Sequence, residues 1–175
     1  MKSILLISVI FLFAAPATAQ THFYLDEPFK RPVKIPEGLV PLLREEIKST
    51  CGGDAAFQGT AVRALFSASR INLSNRGPTF IVKSNHHCLT GADNDWFWVF
   101  LRTRKAYRKI LTAGTISLAA LRTQSHGLRD IETNGATART NYGRIYKYDG
   151  SIYNAARCTE STPVEAKPKR VPCRQ

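Results

Sequence analysis

Four cysteines constrain the fold of this 175-residue chain more than any other feature. They are Cys51, Cys88, Cys158 and Cys173, and an even number of cysteines in a chain that carries an export signal indicates two disulfide bonds. Four cysteines permit three pairings. We favour Cys51–Cys88 together with Cys158–Cys173, because each pair closes a modest loop, although the spacing leaves the connectivity open.

The first 19 residues have the pattern of a secretory signal peptide. Lys2 precedes an apolar run from Ile4 to Ala15, and Ala17-Thr18-Ala19 is a small-x-small cleavage motif. We expect cleavage after Ala19 and a periplasmic or secreted mature chain that is long enough for one domain. The alternative is an uncleaved membrane anchor, for which the apolar run is short.

The charge of the chain is strongly basic and unevenly distributed. Lys and Arg number 25 against 13 Asp and Glu, a formal net charge of +12. From Ala55 to Arg129 there are 11 basic residues but only two acids, Asp93 and Asp95. Such a field attracts anionic partners: acidic proteins, lipopolysaccharide or phospholipid surfaces, or nucleic acid. The alternative interpretation is a surface of ordinary solvated charges.

Residues 20–40 contain three prolines and predict an extended N-terminal arm. A short helix is expected next, because Pro41 can occupy a first helical turn and Leu42, Leu43 and Ile47 make an apolar face. Gly52 and Gly53 end this helix. Cys51 is then placed at its end, where a disulfide can attach the helix to the rest of the domain.

From residue 61 the apolar period approaches two, which is typical of β-strands. Strands are expected at 61–73, 79–84, 95–101, 106–112, 116–122, 127–133, 142–148 and 151–158. The polar tail, residues 159–175, is expected to be tied back through Cys173. The domain at 41–158 is therefore predicted to be mainly β (α+β), with a single antiparallel sheet or meander and a short N-terminal helix, held by two disulfides.

The segment Trp96–Leu101 (WFWVFL) lacks any alternation of apolar and polar residues. It indicates a central strand covered on both faces, or else a strand with one face against a partner. Five cations follow it closely, at Arg102, Arg104, Lys105, Arg108 and Lys109. We call these five residues the basic tip, because the pattern predicts that they surround a hairpin turn.

A second hairpin is predicted at Asp149–Gly150. Both residue types tolerate positive φ, so the dipeptide suits a type I′ turn between two strands. Tyr146 and Tyr148 then share one face of the first strand, and Tyr153 lies on the second. Such a tyrosine ladder is typical of sheet packing, with a binding face as the alternative.

The stretch NHHCLTGADND provides the strongest candidate for a metal site, with His86, His87, Cys88 and Asp93 or Asp95 as ligands. The spacing is unfavourable, because adjacent residues of an extended chain point to opposite faces, and an oxidised Cys88 is not a thiolate ligand. We therefore expect no metal and no cofactor. We expect Cys88 to anchor its loop through a disulfide.

Catalytic motifs are weak in this chain. The sequence contains no G-x-S-x-G elbow, phosphate loop or dinucleotide fingerprint. A hydrolase remains an alternative if Asp93, Asp95, Asp130 or Glu132 cluster in one cleft.

Four motifs follow one another in order: RINLSNRGPTFIVKS, FWVFLRTRKAYRKIL, HGLRDIE and YKYDGSIY. This series resembles an uncharacterised group of small exported bacterial β-domains, whose pattern begins with a D-x-N-x-D-G loop. The resemblance implies a β fold and export but no catalytic residue. In this chain the loop is degenerate: the calcium-ligand positions hold Asn72, Ser74 and Arg76, so the resemblance does not imply calcium binding.

These observations predict a basic binding protein that is not an enzyme. The basic tip is the expected contact surface, with Trp96 or Trp98 as an aromatic anchor where either is exposed. The expected partner is an acidic protein of the cell envelope, which would make this chain an inhibitor or immunity-type protein. The alternative is a binder of anionic envelope surfaces or nucleic acid.

Overall fold

The computed structural model describes residues 21–51, 61–74, 77–90, 95–165 and 167–173. The predicted signal peptide at 1–19 lies outside these ranges. The elements are β1 (His22–Tyr24), α1 (Val40–Cys51), β2 (Phe66–Ile71), β3 (Thr79–Ser84), β4 (Asp95–Arg102), β5 (Tyr107–Thr115), β6 (Ser117–Ser125), β7 (Leu128–Ala136), β8 (Asn141–Tyr148), β9 (Tyr153–Ser161) and β10 (Lys169–Val171). Within the described ranges, no helix has the length and apolar character needed to cross a membrane.

The strands form two antiparallel sheets rather than the single sheet that the sequence predicted. One sheet has the order β1-β6-β7-β8-β9-β10 and the other the order β2-β3-β4-β5. The division occurs at Ile116, the single residue between β5 and β6. There the Ile116 N–H and the Thr115 hydroxyl both donate to the carbonyl of Asn134, at 3.0 and 2.7 Å. These bonds turn the chain into the second sheet, where β6 pairs with β1 and β7.

The core consists of two apolar layers, one on each face of the four-stranded sheet. Phe97 and Val99 belong to the layer between the two sheets. Trp98 and Phe100 belong to the layer beneath α1, together with Leu43. Because both faces of β4 are buried, the strand needs apolar residues at successive positions. Both faces of the strand are thus covered from Phe97 to Phe100, whereas Trp96 is exposed and Leu101 is partly buried.

Both favoured disulfides are present. Cys51, the last residue of α1, is bonded to Cys88 with the two Cα atoms 5.8 Å apart. Cys158 on β9 is bonded to Cys173 with a Cα separation of 5.2 Å. The first attaches the helix to the loop after β3, and the second holds the C-terminal tail, so that β10 pairs with β9.

The N-terminal arm is anchored by a buried lysine. Phe23 and Phe29 of the arm pack edge to face, with ring centroids 5.7 Å apart. The Lys83 ammonium lies 5.5 Å from the centre of the Phe29 ring and donates hydrogen bonds to the carbonyls of Leu25 and Glu27, at 2.6 and 2.8 Å. A buried charge requires such partners, because desolvation without them is costly.

The type I′ turn occurs at a different hairpin from the predicted one. His126 and Gly127, between β6 and β7, both have positive φ, of 48° and 80°. At the β8–β9 hairpin only Gly150 has a positive φ, and the turn spans four residues. The physical reason is the Asp149 carboxylate, which accepts the N–H groups of Ser151 and Ile152 and so stabilises the longer loop.

Candidate functional site

The basic tip is formed by the hairpin that connects β4 and β5. Arg102 pairs with Tyr107, and between them the Thr103 N–H donates to the Ala106 carbonyl at 2.8 Å. The Ala106 N–H donates in return to the Thr103 hydroxyl at 3.1 Å. These bonds close a short turn that presents Arg104 and Lys105 at its apex.

A β-bulge determines where the two cations behind the apex point. Val99 pairs with Leu111 but Phe100 pairs with Lys109, so Ile110 is an extra residue in β5. Phe100 faces α1, and the Lys109 side chain therefore reaches the same layer. Arg108 points to the other side, toward the six-stranded sheet.

Both of these cations have protein partners. The Lys109 ammonium forms an ion pair with Glu46 of α1. Arg108 donates from Nη2 to the Tyr148 hydroxyl at 2.6 Å, and that hydroxyl donates to the Gly150 carbonyl at 2.8 Å. Arg108 and Lys109 are therefore structural supports of the hairpin as well as members of the basic tip.

The remaining three cations are not engaged in this way. Arg102, Arg104 and Lys105 are exposed, and within the described ranges none of them forms an ion pair. As far as the structure describes the chain, these three cations are therefore available to an external anion.

The tryptophans do not join the basic tip. Trp98 has an exposed fraction of 1%, and its ring packs edge to face against Phe66 at 5.6 Å. Trp96 is 37% exposed, but it lies at the opposite end of β4, about 20 Å along the strand from Arg102. Trp98 is therefore too buried to serve as the aromatic anchor of the basic tip, and Trp96 lies on a different surface.

Four turns gather at the end of the molecule that carries the basic tip. The Arg102 N–H donates to the carbonyl of Pro78, in the connection from β2 to β3. His126 donates from Nδ1 to the Tyr148 carbonyl at 2.8 Å, which joins the β6–β7 and β8–β9 turns. This end also exposes Ile152, an apolar side chain that sequence reasoning missed because a lone isoleucine in a turn carries no pattern.

The histidine and cysteine stretch is structural where the structure describes it. The Cys88 sulfur belongs to a disulfide, and the Cys88 N–H donates to Nδ1 of His86 at 3.3 Å. Asp93 and the side chains of His87 and Asp95 lie outside the described residues. Among those that are described, no three His, Cys, Asp or Glu side chains are grouped so as to hold a metal ion.

The two described candidate acids lie in different surroundings. Asp130 is 3% exposed, and its Oδ1 lacks a hydrogen-bond partner among the described residues. Burial raises the pKa of Tyr153, and the charge of Asp130 raises it further. Glu132, by contrast, lines an open groove on the six-stranded sheet. Asp130 is not among the residues that line this groove.

No protein-family model matches the chain, and no curated protein or solved structure is significantly similar to it. The resemblance to exported β-domains therefore stays a prediction.

Proposed function

We propose that this protein is an exported binding protein whose basic tip docks onto an acidic surface of another envelope protein, as an inhibitor or immunity-type protein would. The observation that supports this proposal is that only two of the five cations of the basic tip have protein partners in the described structure. Arg108 and Lys109 are fixed by Tyr148 and Glu46, whereas Arg102, Arg104 and Lys105 project beyond them without ion pairs in the described structure.

This arrangement suits recognition of carboxylates. Arginine presents a planar set of donors that matches a carboxylate in a bidentate fashion, and such charge-assisted bonds are stronger than neutral ones. Because the hairpin is held by α1 and by the β8–β9 turn, little conformational freedom is lost on binding. The net charge of +12 further accelerates the encounter with an acidic partner.

The shape of this end favours a protein partner over a flat anionic surface. The cations converge on one short turn rather than covering a broad face. The neighbouring β8–β9 turn carries Asp149, whose pKa is lowered by hydrogen bonds from the Ile152 and Ser151 N–H groups. A carboxylate beside the basic tip would be repelled by a membrane or a phosphate backbone. A protein surface with mixed charges can accommodate it.

The test begins with a photo-crosslinking amino acid at Thr103, used to capture the partner from an envelope extract, followed by binding of the two purified proteins. We expect the triple variant R102E/R104E/K105E to weaken the purified complex by more than about 100-fold, because three charge-assisted contacts become repulsive. The matched control is K48E/R139E/K167E. It makes the same change in net charge at exposed positions away from the basic tip.

Unchanged affinity of the basic-tip variant would refute the proposal, as would an equal loss in the control. Vesicles of phosphatidylethanolamine and phosphatidylglycerol provide a second arm. Tight binding to these vesicles that collapses at moderate salt, without capture of any protein, would instead support the anionic-surface alternative.

A further inference from the structure

A groove crosses the outer face of the six-stranded sheet, away from the basic tip. It has two lobes, with volumes of about 300 and about 280 Å³, which share Asn134, Gly143, Thr159 and Pro168. The first lobe extends to Tyr24 and the second to Arg157. The outer face of a sheet normally carries long solvated side chains, so a continuous depression here calls for an explanation.

The floor of the groove is a single row of residues across five strands. Tyr24 pairs with Ser117, Ser117 with Asn134, Asn134 with Gly143, and Gly143 with Thr159. With strands spaced by about 4.8 Å, the row spans about 19 Å, the length of a short oligosaccharide.

Glycine keeps the middle of this row open. An ideal Cβ at Gly143 would lie 2.8 Å from the Thr159 hydroxyl oxygen and 3.2 Å from Oδ1 of Asn134. Any larger residue would push these two side chains apart and fill the groove. The polar groups on both sides of Gly143 therefore face a common space.

The row provides unused hydrogen-bonding groups beside an exposed ring. In the described structure, the side chains of Ser117, Asn134 and Asn141 form no hydrogen bond with other protein groups. Tyr24 is 43% exposed at one end of the groove, and its backbone is held by Lys83 and by the hydrogen bond from Leu25 to Ile116. A rigid aromatic ring next to amides and hydroxyls suits the flat, hydroxyl-rich faces of sugars.

The other end of the groove carries one exposed arginine. Arg157 lines the second lobe and forms no ion pair within the ranges described. The Arg144 guanidinium lies on the opposite face of the sheet, 5.6 Å from the centre of the Tyr142 ring. Glu132 lies in the same lobe and can accept hydrogen bonds from hydroxyl groups. The exposed Arg157 guanidinium can pair with a carboxylate on the bound molecule.

From this combination we infer that the groove binds a carboxylated oligosaccharide. The sugar rings would stack on Tyr24 and bond to Ser117, Asn134 and Asn141, and a carboxylate would reach Arg157. This site is separate from the basic tip and does not depend on the function proposed for it.

The test is calorimetric titration of the full mature chain at low salt with three probes of equal length: tetragalacturonate, neutral maltotetraose and a tetraglutamate peptide. We expect tetragalacturonate to bind at least tenfold more tightly than either of the others. Arg157→Gln should weaken this binding about tenfold, because it removes a charge-assisted contact. Tyr24→Ala should weaken it about fivefold, through loss of stacking. Both positions are exposed, so neither substitution should prevent folding.

The matched control is Arg70→Gln, which removes one exposed arginine on β2 of the four-stranded sheet and should leave the affinity unchanged. Absence of tetragalacturonate binding would overturn the inference. So would an equal loss in the Arg70 and Arg157 variants, which would indicate attraction by net charge alone. Equal affinity for tetraglutamate would exclude sugar recognition.

Discussion

Trp98 donates from Nε1 to Oε2 of Glu46 at 2.9 Å, across 52 residues of sequence. The other oxygen of the same carboxylate pairs with Lys109. One side chain of α1 thus holds both the buried face of β4 and the base of the basic tip, and the orientation of the hairpin depends on the helix.

Replacing Glu46 should measurably destabilise the protein. Glu46→Ala leaves the buried Trp98 N–H without its acceptor, and we expect a loss of about 2 kcal/mol in the free energy of unfolding, measured with urea. Glu46→Gln keeps an acceptor and should lose less. Glu45→Ala changes an exposed neighbour and is the control, with an expected change below about 0.5 kcal/mol. Equal losses at positions 45 and 46 would contradict this account.

The two disulfides should differ in their contributions. The Cys51–Cys88 bond spans 37 residues and the Cys158–Cys173 bond spans 15. From loop-closure entropy, paired alanine substitutions should cost about 4 and about 3 kcal/mol respectively, measured by urea denaturation without reductant. Replacing Cys158 and Cys173 with alanine should also make the tail sensitive to limited proteolysis, because the short β10 would then have to hold it without the disulfide. An intact tail in the C158A/C173A variant would show that β10 alone is sufficient.

Lys83→Met should release the N-terminal arm. The methionine fills similar space but leaves the carbonyls of Leu25 and Glu27 without their donor, at an expected cost of about 2 kcal/mol. The arm should then be cleaved by protease before the rest of the domain unfolds. Lys147→Met changes an exposed lysine on β8 and controls for the loss of charge. If both variants resist protease equally, Lys83 does not anchor the arm.

The β8–β9 turn should make stability depend on pH in the acidic range. Hydrogen bonds from the Ile152 and Ser151 N–H groups and from the Asn154 side chain hold the pKa of Asp149 below its ordinary value of 3.8. A carboxyl whose pKa is lower in the folded state stabilises that state above its unfolded pKa, and the contribution disappears as the pH falls through the folded value. The difference in melting temperature between the wild type and Asp149→Ala should therefore be constant from pH 5 to 7 and shrink below about pH 4. A difference that persists at pH 2 would point to a cause other than ionisation.

The strands were predictable because their signals are local. The expected ranges 79–84 and 142–148 closely match β3 and β8, since period-two patterns and turn residues report on the backbone directly. The division into two sheets was not predictable, because it depends on which strands pair after Ile116, and a local period carries no information on partners. The type I′ turn was assigned to the wrong hairpin for a related reason: the capping ability of the Asp149 carboxylate outweighs the preference of Asp-Gly for that turn.

The candidate sites were predictable only in part. The cations of the basic tip lie close together in the sequence and could be identified from it, and the structure shows that they surround one hairpin. Which of these cations have protein partners depends on Glu46 and Tyr148, and these two residues lie on elements that are distant in the sequence. The groove depends on a row of five strands that meets at Gly143, and no single segment carries such a pattern.

The placement of the two tryptophans on one strand provides an intrinsic optical probe. The chain has no other tryptophan. The indole of Trp98 lies in the layer beneath α1, while that of Trp96 is partly in contact with solvent. Acrylamide should quench the emission of Trp96 in the native protein and leave most of the emission of Trp98. A change confined to the emission that acrylamide does not quench, which comes from Trp98, would then indicate that α1 has moved away from the four-stranded sheet. This measurement needs no added label.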